Sequence, residues 1–333
     1  MNSAAENRNE PEETSIAVID EKLPVSYRLD DSQILARYGK TFRWAQHFLP
    51  THAAASAARL YAFCRYLDDV ADSGITEGRQ QLVAIQARLS GEVPLRDVQV
   101  LDKFQPWARS AGIPETALAD MLDGFLGDQL TVALEDEADL IRYAYRVAGT
   151  VGLMMCPLLG ARDPRARAFA IDLGIAMQLT NIARDVLEDA QMGRRYLPGS
   201  WCGHVKPEQI VAAAAANNLE QVRLDVSQAV DRLLQLAEKY YESGISGLRF
   251  LPVRSHLAIA VAAFAYRAIG HRLRHRGLCW WRGRVSIGLP GKLWHSLVSL
   301  QSLAVRFTAE PVHDAGRHLH LIPLPGFNDH SRN

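Results

Sequence analysis

The sequence predicts an all-α protein, a single helical domain over residues 25–308. Three observations predict it. Strong helix formers, above all Ala, Leu, Arg, Glu and Gln, dominate between the two ends of the chain. Glycine and proline stand as punctuation between apolar runs. No run alternates apolar and polar residues with the period of two that a half-buried strand needs, and no repeat of fixed period is present.

The punctuation sets the elements in order. Residues 1–24 are polar and acidic and are expected as a disordered tail. Pro50 follows "QHFL"; Gly91 and Pro94 interrupt "SGEVP"; Gly112 and Pro114 interrupt "AGIPE". Pro198 and Gly199 end "YLPGS", and Gly277 precedes "LCWW". "PETA" at 114 and "KPEQ" at 206 read as helix starts. Roughly ten helices are expected. Residues 309–333 carry prolines, histidines and no helical period, and read as a C-terminal tail or loose cover. Its "HLH" reads as part of a solvated tail in preference to a metal site, because no acid or cysteine set accompanies it in the sequence.

Composition excludes several function classes. Lys plus Arg and Asp plus Glu are equal at 37 each, so no basic excess invites nucleic acid. The four cysteines are far apart with no C-x-x-C pair, against a zinc ribbon or disulfide framework and for a reducing cytoplasm. The N-terminal residues contain no apolar stretch of the signal-peptide kind. "VAGTVGLMMCPLLGA" and "LAIAVAAFAY" are shorter than the roughly 18 residues of a membrane span. A cytoplasmic protein is expected, soluble or peripheral to the membrane. The basic, aromatic "HRLRHRGLCWWRGR" at 271–284 is open to three readings: a bilayer contact, the rim of a site, or ordinary surface.

The chemistry is carried by two acidic stripes. On a helix, positions three or four apart share a face. In "RLYAFCRYLDDVAD", Tyr61, Arg65, Asp68 and Asp72 then form one stripe, with Asp69 rotated about 100° off it. In "AMQLTNIARDVLEDAQMGRRYLP", Gln178, Asn181, Asp185 and Asp189 form a second, spaced 3, 4 and 4. Aspartates one turn apart repel by roughly 3 kcal/mol at an effective dielectric near 20. Water relieves this on an open surface, and one such stripe is compatible with a solvated helix face. In an enclosed cavity a cation does the same. Two stripes of carboxylate and amide oxygen on apolar helices point to a hard cation, Mg2+ before Zn2+, with phosphate oxygens completing its shell. Arg65 and Arg184 lie in or beside the stripes, and Lys40, Arg284 and Lys292 are further candidates for holding a diphosphate. Each of these basic residues taken alone is equally compatible with surface charge.

The two stripes resemble the aspartate-rich signatures of the squalene and phytoene synthase family. "KTF" at 40–42, "LIRYAYRVAGTVGLMM" at 140–155, "YYESGISGLRFLPVRSHLAIAVAAFAYRAIG" at 240–270 and "RGRVSIGLPGKL" at 282–293 fit in order, over about 38–300. The 240–270 region is most similar to bacterial phytoene synthases. The resemblance implies an isoprenoid-synthase helical bundle around a deep central cavity. It implies head-to-head condensation of two geranylgeranyl diphosphates to phytoene, through a cyclopropyl diphosphate, in carotenoid biosynthesis. It implies Mg2+ or Mn2+ and no NADPH.

Position by position, the resemblance assigns metal binding to Asp68, Asp72, Asn181, Asp185 and Asp189. Arg65 joins the four aspartates in catalysis. Tyr61, Arg65, Gln178, Arg184, Tyr266 and Arg284 match residues that contact substrate or diphosphate. Tyr143, Val147 and Gly152 match cavity-lining positions, and Asp123 and Asp128 match a further acidic segment. Lys40 and Thr41 match a phosphate-binding loop, from which the chain departs: Gly39 stands where the family usually has Ser. On this reading Gly39→Ser is tolerated and Thr41→Val raises KM. A squalene or presqualene-diphosphate synthase acting on farnesyl diphosphate is the alternative chemistry. A non-catalytic scaffold is the alternative class, disfavoured because both signatures are intact.

Overall fold

The computed structural model describes residues 30–72, 75–91, 99–129, 132–215, 219–324 and 327. The expected N-terminal tail, 1–24, lies outside them. Among the described residues the only β feature is an isolated bridge between Ala133 and Arg195.

The helices run α1 (Asp31–Tyr38), α2 (Lys40–Gln46), α3 (Thr51–Asp72), α4 (Ile75–Leu89), α5 (Gln99–Ser110), α6 (Glu115–Asp128) and α7 (Glu137–Ala144). A single π turn, Tyr145–Gly149, joins α7 to α8 (Thr150–Leu158). There follow α9 (Ala166–Arg184), α10 (Val186–Gln191), α11 (Gly199–Cys202), α12 (Pro207–Ala215), α13 (Glu220–Ser246), α14 (Val253–His275) and α15 (Leu289–Ser299). More helices form than the sequence predicts, because α2, α10 and α11 are short pieces whose separating breaks leave the apolar period undisturbed.

Local chemistry starts several of them. Asp30 and Gln33 form a reciprocal capping box at α1. The Asp136 carboxylate accepts from the Asp139 N–H and caps α7. "KPEQ" opens α12 through the Lys206 N–H, which donates to Gln209 Oε1 at 2.9 Å.

α9 is the central helix. Phe169, Ile175, Leu179 and Ile182 on it are buried, and it packs on α8, α13 and α14. Small residues permit the approach. A Cβ on Gly152 of α8 would lie 2.1 Å from the carbonyl oxygen of Ala170, and one on Gly174 would lie 2.3 Å from that of Ala148. Only glycine lets these backbones touch.

The C-terminal residues, expected as a tail or loose cover, are partly seated on the bundle. Residues 315–321 form a 3₁₀ turn, with Leu321 and Leu324 buried. His313 and His318 each donate from Nε2 to the Asp172 carboxylate of α9, at 2.9 and 2.7 Å. Burial alone would raise the Asp172 carboxyl, but the bonds from His313 and His318 outweigh it and hold it below its usual range. The sequence could not pair this strap with an acid 141 positions away. In 271–284, Trp280 is buried and Trp281 is half-buried under Arg223.

Candidate active site

α3 presents the first stripe. Arg65 Nη1 donates to Asp68 at 2.7 Å, and Nη2 donates to Asp69. The guanidinium also lies over the Tyr38 ring, 4.6 Å from its centre. Asp69 is therefore not idle. It sits one full turn after Arg65 and is the most enclosed of the three acids, with a side chain 15% exposed against 43% for Asp68 and 48% for Asp72.

The second stripe is not one helix. α9 ends at Arg184, Asp185 departs to φ −105° and ψ 17°, and α10 begins at Val186. The Asp185 side chain is gripped by two arginines. Arg184 donates to its oxygens at 2.7 and 2.5 Å, and Arg284 at 2.9 and 3.0 Å. Above it, Asn181 donates to Gln178 at 3.3 Å. The Asn181 Oδ1 and Glu188 Oε2 atoms are buried without a hydrogen-bond partner.

The two stripes meet through Arg194 and Asp128. Arg194 of "GRRYLP" donates to Asp72 Oδ1 at 3.2 Å. Asp128, at the end of α6, accepts from the hydroxyls of Tyr143 and Tyr196 at 3.1 and 3.3 Å, whose rings stack 4.7 Å apart. Burial pushes Asp68 up to about 6, against the pull of Arg65, with Asp72 and Asp69 adding to the rise. Burial also lifts Asp128 to about 7 against Arg194, and Asp189 to about 7 with Asp185 beside it. Asp128 feels Asp68 on one side, and Asp189 feels Asp128 on the other. The acids of both signatures thus face one cleft, enclosed by protein though its tips reach water. The donor set is all oxygen, crowded, partly neutralised by proximity and short of hydrogen-bond donors at Asn181. It fits a hard divalent cation.

A cavity of about 310 Å³ runs behind this cleft. Its lining is mostly apolar, and Gln46, Tyr61, Gln178, Asn181 and Tyr266 bring polar groups to it. Phe42 lies between the two tyrosines, 5.9 Å from Tyr61 and 5.5 Å from Tyr266. Val147, on the π turn, and Gly152 line the wall.

Other candidates lie elsewhere. Tyr143 holds Asp128 and does not line the cavity. Asp123 accepts from Gln86 at 2.6 Å. Lys40 is exposed, and its carbonyl accepts from Lys292 at 3.1 Å. Gly39 has a packing reason. A Cβ there would lie 2.8 Å from Leu35 Cδ1 and 2.9 Å from Tyr61 Cζ, so the Tyr61 ring fills the space a serine would need. A serine at Gly39, expected as tolerated, requires the ends of the Leu35 and Tyr61 side chains to shift. Sequence reasoning passed over Arg194 and Tyr196; "GRRYLP" following the second stripe was the available signal.

Among the described residues one further group could hold a metal: Asp172, His313 and His318, with ligand atoms within 4.8 Å of one another. An acid thus does accompany the C-terminal histidines. Their Nε2 atoms and Ser243 Oγ, at 2.5 Å, already satisfy the carboxylate, so the group closes on itself.

The squalene/phytoene synthase family profile matches residues 35–290. A 15-cis-phytoene synthase of Pantoea ananas is 37% identical over 305 residues, covering 88% of this chain and 96% of that protein. A 15-cis-phytoene synthase of Enterobacter agglomerans is also 37% identical, covering 76% and 88%. Among solved structures, a dehydrosqualene synthase with bound ligand aligns at TM-score 0.67 and 29% identity, covering 82% of this chain and 95% of that one. The squalene synthase HpnC of Alicyclobacillus acidocaldarius aligns at 0.62 and 20%, covering 77% and 97%, a likeness of fold alone. Two aspartate signatures facing one cleft at the end of an apolar cavity, on this helical bundle and with these relatives, mean that the chain belongs to the squalene/phytoene synthase family of prenyltransferases.

Proposed function

We propose that this enzyme joins two geranylgeranyl diphosphates head to head and releases phytoene, in carotenoid biosynthesis. The observation that carries the reading is an apolar cavity reached by Tyr61 from the helix of Asp68 and Asp72 and by Gln178 and Asn181 from the helix that leads to Asp185 and Asp189, in a chain 37% identical to a 15-cis-phytoene synthase. The coarse substrate class, an isoprenyl diphosphate, follows from family membership, as does the use of a divalent metal.

Asp68, Asp72, Asn181, Asp185 and Asp189 would hold the cation, Mg2+ or Mn2+, whose chemistry is to draw charge onto the departing diphosphate. Arg65, Arg184 and Arg284 now grip carboxylates, and in the loaded site they turn to diphosphate oxygens as planar, two-pronged donors. Lys40 and Lys292 form a basic edge, with the Thr41 hydroxyl as a hydrogen-bond donor, that receives the second diphosphate. Gln178 orients the head of a substrate, and Tyr61 and Tyr266 pack on it. Val147 and Gly152 border the prenyl chains. Tyr143 and Tyr196 set Asp128, which with Arg194 tunes the acids on either side.

The reaction runs in two halves. One diphosphate leaves to give an allylic cation. The double bond of the second substrate attacks it and loses a proton, which gives the cyclopropyl diphosphate. The second diphosphate leaves, the skeleton rearranges and a further proton is lost. The apolar walls keep water from the cations. Because the sequence ends in proton loss, no reductant is consumed. The cysteines in the described residues are all free, which supports a reducing, cytoplasmic setting.

The dehydrosqualene synthase likeness favours a second reading, with farnesyl diphosphate as substrate. Competition between the fifteen- and twenty-carbon diphosphates in one reaction separates the two. Preference for the twenty-carbon substrate is the expected result. Exclusive use of the fifteen-carbon one overturns the substrate assignment and leaves the family intact.

A further inference from the structure

α15 and the 3₁₀ stretch after it, Leu300–Phe307, are inverted in polarity. Serines face the body. Ser296 Oγ accepts from Trp44 Nε1 at 2.9 Å, Ser299 is fully buried, and Ser302 Oγ bonds His256 Nε2 at 2.9 Å. Leucines face out. Leu289, Leu293, Leu297 and Leu300, spaced 4, 4 and 3, lie on one side and are 46–62% exposed, with Trp294 beside them at 61% and Phe307 beyond at 89%. A helix whose outer face meets water turns its serines out and its leucines in. Single exposed leucines are ordinary; a contiguous strip of them marks a surface that meets something apolar.

Charge says what that is. From 243 to 309 the chain has no Asp or Glu and carries Arg249, Arg254, Arg267, Arg272, Arg274, Arg276, Arg282, Arg284, Lys292 and Arg306. Residues 32–67 are likewise free of acids. In a chain of zero net charge this is segregation. The two runs meet here, because α15 packs on α14, α14 packs on α2, and Lys292 Nζ reaches the Lys40 carbonyl. Lys40, Arg43 and Arg254 are exposed around the leucine strip.

We propose that this face docks on an anionic lipid bilayer, with the leucines and Trp294 in the interface and Arg43 and Arg254 on the headgroups. A tryptophan beside a leucine strip suits the boundary between headgroup and acyl chain. α2 and α14 also line the apolar cavity, through Phe42, Ala45, Ile259 and Ala262, so one layer of helices separates the cavity from the docking face. An amphiphilic prenyl substrate and a hydrocarbon product both partition to that side. The inference rests on the surface and holds for either substrate length.

Flotation of the full chain with vesicles tests it, using phosphatidylcholine alone and phosphatidylcholine with about a quarter phosphatidylglycerol. The expected result is binding to the anionic vesicles, weakened by salt and by removal of phosphatidylglycerol. Leu293→Glu with Leu297→Glu should cut the bound fraction about tenfold or more. Leu224→Glu, on an equally exposed leucine of α13, should leave it unchanged. Thermal melts of both variants should match the parent, since the side chains are exposed. No binding by the parent overturns the proposal, and so does equal binding by the double variant. A dimer in vesicle-free solution that the double variant dissolves overturns it in favour of a second copy of the chain.

Discussion

Gly152→Ala couples the packing of the bundle to the site. The added Cβ would meet the Ala170 carbonyl oxygen at 2.1 Å and its carbon at 2.8 Å, where an ordinary contact is about 3.4 Å or more. The obstacle is backbone of the central helix and cannot rotate away. α8 and α9 must separate by about 1 Å. Overpacking of a core costs about 1–3 kcal/mol, and a backbone obstacle belongs at the upper end. With 333 residues at about 2.1 cal/mol/K each, 3 kcal/mol lowers Tm by about 4 °C. α9 carries Gln178 and Asn181, and a displacement of about 1 Å at a site costs about a hundredfold in rate. Thermal denaturation followed by circular dichroism, with turnover on the same samples, reads both. Gly127→Ala is the control, because nothing lies within 4 Å of its added methyl and it sits inside α6. It should raise stability by about 0.4–1 kcal/mol. A Gly152→Ala protein with unchanged Tm and turnover would refute the close contact of α8 and α9.

Asp68→Asn and Asp72→Asn should each lower kcat by about a hundredfold or more, while Asp69→Asn, acting through Arg65, should cost about ten- to a hundredfold; equal inactivity of all three counts against the division of roles. Chelation with EDTA should abolish turnover and Mg2+ restore it; full turnover in excess chelator contradicts the oxygen-donor site. Gly39→Ser should impair both stability and turnover because Tyr61 must move, and parental behaviour in both would show that the ring yields freely. Asp172 has a folded-state carboxyl below its unfolded value, so its contribution to stability is present above the unfolded pKa and is lost as pH falls through the folded one. Tm measured from about pH 7 down to about pH 3 should therefore fall, and Asp172→Asn should lower Tm at neutral pH and flatten that fall; an unchanged slope contradicts it.

What could be read in the sequence was what repeats locally. Helical period, breakers and two aspartate stripes all act within a few turns, and they led to the helical class and to the acids that share the cleft. What escaped depends on contacts distant in sequence or on single backbone angles. The break at Asp185 changes one residue's φ and ψ and leaves the apolar period of Ile182, Val186 and Leu187 intact. The strap that seats His313 and His318 on Asp172 closes across 141 and 146 positions. Arg194 was not singled out, because only folding sets it against Asp72, across 122 positions. Gly39 read as a missing hydroxyl; in the fold it is room for Tyr61.

Incubation of the purified full chain with geranylgeranyl diphosphate and Mg2+, without any reductant, tests the central claim most directly. Phytoene should form, identified by mass and by the absorption of its conjugated triene, with two diphosphates released for each molecule. No hydrocarbon product, or one that forms only when NADPH is added, would contradict the assignment.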